Sequence, residues 1–350
     1  MKKLLALLLC AVLCLSLAAC ASNTATTTTE TTETTVEPAA EETASSDASA
    51  ETAQPAADAQ QYVVGICQLV QHDALDAATN GFMDALNEAL PGQVTFDLKN
   101  ASNDIPTCGT IVTGFVASNV ALILANATPA LQAASTATQT IPILGTAVTE
   151  YGVALDIKDF NGTVGGNISG TSDLAPLDQQ ADMLLELLPE AQNVGILYCS
   201  AEANSVYQAD VVKAALEEKG VTVTVYTFAD SNDVATVTQT ACAENDALYI
   251  PTDNTAASCT EAINNVAEPA GVPIVAGEEG ICKGCGIATL SIDYYELGKT
   301  TGAMAAKILT GEANVSEMPI EYYLNPVKKY DVARCEALGI TVPADYVAIG

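Results

Sequence analysis

The residues of this chain that could do chemistry stand in short polar clusters, each placed just after an apolar run. Gln68-Leu69-Val70-Gln71-His72-Asp73 follows the run Tyr62–Cys67 and contains the only histidine. Asn126-Ala127-Thr128-Pro129-Ala130 follows a second run, and Thr146 lies just past a third. Glu202-Ala203-Asn204-Ser205, Thr252-Asp253-Asn254-Thr255, Gly277-Glu278-Glu279 and Asp293-Tyr294-Tyr295 repeat the pattern later on. Ser172-Asp173 stands after a glycine-containing loop, Asn161–Asn167. Most of these residues are good helix starters. Thr128 reads as an N-cap with Pro129 in the first turn, and acids favour helix starts and solvated loops. As a binding set they offer more. Asp253, Glu278 and Asp293 together could hold an ammonium group by charge-assisted hydrogen bonds. The free N–H groups of a helix start suit a carboxylate. Asp253→Ala is expected to remove such binding with little loss of stability.

Catalytic chemistry is poorly served. A Ser/His/Asp arrangement would have to use His72, and no G-x-S-x-G elbow is present. Cys282-Lys283-Gly284-Cys285 is a single C-x-x-C with no second pair or histidine nearby, which argues against zinc and leaves a local disulfide open. Cys67 and Cys199 read as buried strand thiols, and the pairing of Cys108, Cys242, Cys259 and Cys335 is not set by spacing. Gly162, Gly165 and Gly166 do not follow a strand and open a helix, so they are not a dinucleotide fingerprint. The reading is therefore a binding protein with no catalytic residues, no metal and no cofactor. A surface hydrolase using paired carboxylates is the weaker alternative.

The elements that must position these residues alternate between strand and helix. Tyr62–Cys67 reads as a strand, and Asp73–Leu90 as a helix with Asp73 as N-cap and Pro91-Gly92 as its stop. Val94–Leu98, Ala121–Ala125 and Ile141–Leu144 continue the strands, with helices near Thr107–Ser118 and from Thr128. The same order recurs in Val194–Tyr198, Asn204–Lys219, Val221–Phe228, Ala247–Ile250 and Val272–Val275. Gly65 and Gly195 are 130 residues apart, and Pro142 and Pro273 are 131 apart, which marks a duplication. The fold class expected is α/β, with two doubly wound parallel-sheet lobes joined by a multi-segment hinge. Ligands of such sheets bind beyond the carboxyl ends of the strands, so two facing lobes form a cleft. A helix over Tyr294–Leu309 and a strand near Glu321–Leu324 cross back to the first lobe. The lobe boundaries expected are 61–170 plus about 293–325, and 171–292 plus about 326–350.

The chain has 43 acidic and 12 basic residues and a net charge of −31. That balance argues against nucleic acid as a partner and fits a solvated surface. The start of the chain is a targeting signal. Lys2 and Lys3 precede an apolar run, Leu4–Leu15, and small residues lead into Leu17-Ala18-Ala19-Cys20. The run is shorter than the roughly 20 residues of a membrane span. Residues 1–19 thus read as a lipoprotein signal peptide, and Cys20 as the lipidated start of an extracytoplasmic, membrane-anchored protein. Residues 20–60 are Thr, Ala, Glu and Ser without Lys or Arg, a composition that suits a disordered spacer or a glycosylated stalk.

Seven segments, GICQLVQHDALDAATNGFMDAL, NATPALQAA, IPILGTAVT, AEANSVYQ, PTDNTAAS, PIVAGEE and SIDYYELGKTTGAMAAKIL, resemble the ABC transporter substrate-binding lipoproteins. Better-known members of that family take aromatic amino acids such as tryptophan and phenylalanine. The resemblance spans Tyr62–Ile340 and implies a type I periplasmic-binding fold that closes on its ligand. It implies a small-molecule ligand, with an amino acid foremost, and an ABC permease with its ATPase as partners. It also implies that Thr128-Pro129-Ala130 and Thr252-Asp253-Asn254 face the ligand. A ligand-sensing role, or nucleoside or sugar ligands, stay open as alternatives. Trp is absent, so an aromatic ligand would stack on Tyr, Phe or apolar surface.

Overall fold

Continuous apolar runs become central parallel strands in the computed structural model, which describes residues 61–349. The expected signal peptide, Cys20 and the expected spacer lie outside the described residues, as does Gly350. In the first half, β1 (Tyr62–Gln68), β2 (Val94–Asn100), β3 (Leu122–Asn126), β4 (Ile143–Val148) and β5 (Ile168–Ser172) alternate with α1 (Asp73–Ala89), α2 (Ile105–Ala117), α3 (Thr128–Ala137) and α4 (Tyr151–Ala154). The second half holds α5 (Leu177–Leu187), β6 (Asn193–Cys199), α6 (Ala203–Glu218), β7 (Thr222–Phe228), α7 (Val234–Glu244) and β8 (Ala247–Ile250). It continues with α8 (Asn254–Ser258), α9 (Thr260–Ala270), β9 (Ile274–Ala276), α10 (Glu279–Cys285) and β10 (Ala288–Ser291). The chain ends with α11 (Tyr294–Leu309), β11 (Glu321–Tyr322), β12 (Val327–Tyr330), α12 (Val332–Ala337) and β13 (Val347–Ala348).

Two sheets result, ordered β11-β5-β4-β3-β1-β2 and β13-β12-β10-β9-β8-β6-β7. All pairings are parallel except β10 with β12. Helices cover both faces, so the central strands β3 and β8 are buried along their whole length, while the edge strands β2 and β7 are largely exposed. One face of the first sheet packs Ile123, Leu131, Phe115 and Tyr151, and the other packs Leu124, Phe82, Leu86 and Met304. The second sheet repeats this with Tyr249 and Leu184 on one face and Leu197, Phe228 and Ile263 on the other. This is the α/β architecture of the type I periplasmic-binding proteins.

The chain crosses between the sheets three times: after β5, between β10 and α11, and between β11 and β12. Thr171 and Ser172 stay in the first sheet, so the first crossing begins at Asp173. Helix α11 returns to lie along α1, and three glycines allow the two backbones to approach. A Cβ on Gly298 would stand 2.0 Å from the Ala78 carbonyl oxygen, one on Gly81 2.1 Å from that of Tyr295, and one on Gly302 2.6 Å from that of Phe82. Two helix starts differ from the sequence expectation. His72, not Asp73, occupies the N-cap position of α1, and Asp73 is its first residue. Thr128 is the first residue of α3 and makes no cap; Ala127, at φ 90°, turns the chain into the helix instead.

Candidate functional site

The carboxyl ends of the strands in the two sheets face each other across a small cavity. Its wall draws His72, Ala74 and Leu75 from the start of α1, Ala147 and Thr149 from the end of β4, and Asp173 and Tyr294 from two crossings. The second lobe supplies Asn204, Thr252, Asp253, Asn254, Ala257 and Glu278. Three alanines and a leucine make one part of the wall apolar. The polar part contains three buried side-chain atoms with no hydrogen-bond partner: His72 Nδ1, Asp173 Oδ1 and Asn204 Oδ1. Such atoms are expensive to leave unpaired and are a sign of a ligand position.

The acids in this region divide by what holds them. Asp253 Oδ2 accepts from Cys199 N at 2.8 Å and Oδ1 from Ala256 N at 2.7 Å, so its carboxyl ties the end of β6 to the start of α8. Burial, and then the nearby charge of Glu202, push this carboxyl up to about 8. Both Asp253 oxygens are thus engaged inside the lobe, which overturns the expectation that Asp253→Ala leaves stability intact. Losing the cap alone costs about 0.5–2 kcal/mol. Glu278 caps α10 through Gly280 N and Ile281 N, and burial raises its carboxyl while His72 opposes the shift. Asp173 is 4 % exposed, and burial raises its carboxyl as well. Tyr294 Oη donates to its Oδ2 at 3.0 Å.

Two hydrogen bonds join the lobes over the cavity. His72 Nε2 meets Asn254 Oδ1 at 3.2 Å, and Asn103 Nδ2 donates to Thr255 Oγ1 at 3.0 Å. The loop that carries Asn254 and Thr255 is held from behind by Glu202, which is 1 % exposed. Its carboxylate accepts from Asn254 N at 3.0 Å, Asn254 Nδ2 at 2.6 Å, Thr255 N at 2.9 Å and Thr255 Oγ1 at 2.8 Å.

Of the residues singled out from sequence, His72, Asp173, Asn204, Thr252, Asp253, Asn254 and Glu278 line the one cavity. The others do not. Gln68 is buried beneath it, bonded to Thr79 and Asp76. Thr128, Pro129 and Ala130 are buried in the first turn of α3. Thr146 joins Thr171 and Thr301 in a buried hydroxyl cluster, and Ser172 Oγ donates to the Thr149 carbonyl. Glu202 stands behind the wall, and so does Ser205, whose hydroxyl accepts from Asn204 Nδ2 at 3.3 Å. Asp293 is exposed, caps α11 through Glu296 N, and shares with Glu278 a neighbouring pocket that Asp253 does not line. The trio of acids expected to grip an ammonium is therefore not assembled. Asp173 is the acid with an unpartnered oxygen. Tyr294 and Thr149 were not singled out; the only hint of Tyr294 was its place next to the acid that starts the returning helix.

The eight cysteines among the described residues are free thiols. Cys282 and Cys285 lie on α10 without a disulfide, and no three His, Cys, Asp or Glu side chains among the described residues cluster as metal ligands. No described helix is long and apolar enough to cross a membrane. His72 Nε2 faces an amide, not a hydroxyl or thiol, so no nucleophile–base pair is formed at the cavity.

Comparison with known proteins agrees with this geometry. The family model for ABC transporter substrate binding proteins matches residues 63–345. A tyrosine-binding protein of Clostridioides difficile (strain R20291) is 35% identical over 264 residues, which is 75% of this chain and 76% of that protein. A structure from Streptococcus pneumonia, solved in complex with L-Trp, is 30% identical with a TM-score of 0.78, covering 81% of this chain and 97% of that one. The ligand-free, open structure of a substrate binding protein with adhesive properties from Clostridium difficile is 35% identical, covers 83% and 100% of the two chains, and has a TM-score of 0.63. The TM-score is thus higher with the tryptophan complex than with the open relative, although sequence identity runs the other way.

Proposed function

Because the chain belongs to the ABC transporter substrate-binding protein family, a family of solute binders and not of enzymes, we propose that it captures an aromatic amino acid between its lobes and delivers it to a permease. The observation that carries this reading is the closed cavity, walled by both lobes, with buried and unpartnered polar atoms on His72, Asp173 and Asn204. A zwitterion would satisfy it. Asp173 suits an ammonium, the first N–H groups of α1 at Ala74 and Leu75 suit a carboxylate, and Ala74, Ala147 and Ala257 give an apolar wall for a side chain. The relatives that bind tyrosine and tryptophan support the aromatic class. Binding energy would go into closing the lobes, and the permease, driven by its ATPase, would read the closed form.

The protein works, in this reading, as an extracytoplasmic lipoprotein held by lipid on Cys20. The tether raises the effective concentration of the body near its permease without any new contact. Calorimetry and thermal shift against the twenty amino acids test the ligand. Tyrosine, tryptophan or phenylalanine should stabilise the folded protein, and no response to any amino acid would sink the proposal. Mass spectrometry of the N-terminal peptide tests the anchor: Cys20 should carry acyl chains, and Cys20→Ala should release the protein from membranes.

A further inference from the structure

We infer that Glu202, from behind the cavity wall, sets the hydrogen-bond polarity of the cavity through Asn254 and His72, so that it offers three acceptors to a primary ammonium. This rests on the amino-acid reading above and names the residues that would select for it.

The chain of reasoning is one of donors and acceptors. A carboxylate only accepts. Glu202 takes both backbone N–H groups of Asn254 and Thr255, and the Asn254 side-chain Nδ2 at 2.6 Å. That fixes the amide: its NH2 end faces Glu202, so Oδ1 faces the other lobe. His72 Nε2 meets this Oδ1 at 3.2 Å and must therefore carry the proton. In a neutral ring the remaining nitrogen, Nδ1, is then an acceptor, and it is buried without a partner. Thr255 is polarised in the same way. Its hydroxyl donates to Glu202 and accepts from Asn103 of the first lobe.

The other two orphaned atoms on the wall are also acceptors. Asp173 Oδ1 is a carboxyl oxygen whose partner oxygen is held by Tyr294. Asn204 Nδ2 donates to the Thr252 carbonyl at 3.0 Å, which can only accept, so Oδ1 is the free end of that amide. Two further orphaned atoms, on Asn126 and Thr289, lie on residues away from this cavity. With His72 neutral and Asp173 ionised, the wall thus presents three unpartnered acceptors and no unpartnered side-chain donor, and a primary ammonium has three N–H groups to give. Glu202 touches no ligand in this scheme; it is a positioning residue.

Nitrogen-15 NMR of the full chain tests the relay directly, because His72 is the only histidine and its ring signals need no assignment. At about pH 8 the Nε2–H tautomer should dominate with Nδ1 unprotonated. Glu202→Gln, whose amide can donate where the carboxylate only accepted, should shift that tautomer and weaken L-tyrosine binding at least about tenfold. The desamino analogue 3-(4-hydroxyphenyl)propionate should bind the wild type at least about a hundredfold more weakly than L-tyrosine, and tyramine should keep more of the affinity. An Nδ1–H tautomer or an imidazolium in the folded wild type at that pH overturns the relay, even if Glu202→Gln fails to fold. Equal affinity for L-tyrosine and its desamino analogue overturns the ammonium assignment. Binding of no amino acid, with the Nε2–H tautomer in place, would instead count against the amino-acid reading and leave the relay standing.

Discussion

Tyr294 Oη donates a 3.0 Å hydrogen bond to Asp173 Oδ2, and Asp173 Oδ1 is left buried with no partner. The two residues sit at two of the three places where the chain passes between sheets, so this contact joins two hinge segments at the cavity wall. Asp173→Asn should keep a carbonyl for Tyr294 and lose the negative charge. Because burial already disfavours the ionised carboxyl, the ligand-free variant should melt at the same temperature or higher, while L-tyrosine affinity falls at least about tenfold. Calorimetry with thermal denaturation reads both effects, and a variant that binds as the wild type does would remove Asp173 from the site.

Ligand binding should release protons. Burial raises the carboxyls of both Asp173 and Glu278 in the ligand-free protein, and an incoming ammonium would favour their ionised forms. At pH values somewhat above the ordinary carboxylate range of about 4, the heat of binding should therefore depend on the ionisation enthalpy of the buffer. Identical heats in several buffers across the weakly acid range would mean that neither group changes its proton on binding.

Asp253 makes a separate prediction about stability. Its carboxyl keeps its proton up to about 8 in the folded chain against an ordinary value of 3.8. Between those values the folded state binds more protons than the unfolded one, so stability falls as pH rises through that window and levels off above it. Asp173 and Glu278 slope the same way, so the readout is the difference between wild type and Asp253→Asn. The variant should flatten part of the fall. It should also be less stable throughout by about 1–3 kcal/mol, because an amide cannot accept from both Ala256 N and Cys199 N. Urea unfolding at several pH values measures this, and parallel curves would exclude Asp253 as a source of the slope.

What could be read from sequence follows from what periodicity records. The helix Tyr294–Leu309 and the strand Ala247–Ile250 were readable to the residue, because burial on one stripe or on both faces leaves its mark in the order of apolar residues. The site was readable only as a set of places. By sequence Asp293 stands at an expected cleft edge and Asp173 after a glycine-containing loop, yet one is an exposed helix cap and the other a buried group with a free oxygen. The difference lies in what packs over them, and Tyr294 is one part of that. Thr128-Pro129 is a good capping pair by type, but the unusual backbone at Ala127 turns it inward. Glu202 read as one polar residue of a helix start, and only the folded loop shows four donors converging on it.

Apart from Cys108, whose buried thiol is shifted down by its hydrogen bond with Cys67, the cysteines should be chemically quiet. Seven of the eight described thiols are buried and Cys259 is partly exposed. Burial pushes Cys199 and Cys335 up to about 11 and Cys285 up to about 12, far from the thiolate form that reacts. A thiol reagent on the native body should therefore label Cys259 first, and the rest only on unfolding. Rapid native labelling of Cys282 or Cys285, mapped by peptide mass, would show that α10 opens.

The close contact of α1 and α11 gives the last prediction, and it links the fold to the cavity. A methyl on Gly298 would meet the Ala78 carbonyl oxygen at 2.0 Å, and a backbone atom cannot turn aside as a side chain can. Gly298→Ala should therefore destabilise the protein by about 1–3 kcal/mol or more. Gly114, inside α2 with nothing within 4 Å of a built Cβ, provides the contrast. Gly114→Ala should stabilise by about 0.5–1 kcal/mol, since alanine suits a helix interior better. The two should also differ in binding. Helix α11 carries Tyr294 at its first turn, so pushing it off α1 moves the hydroxyl that holds Asp173, and L-tyrosine affinity should fall in Gly298→Ala but not in Gly114→Ala. Urea unfolding and calorimetry on both variants measure this, and a Gly298→Ala protein as stable as the wild type would mean that the two helices do not meet at backbone distance.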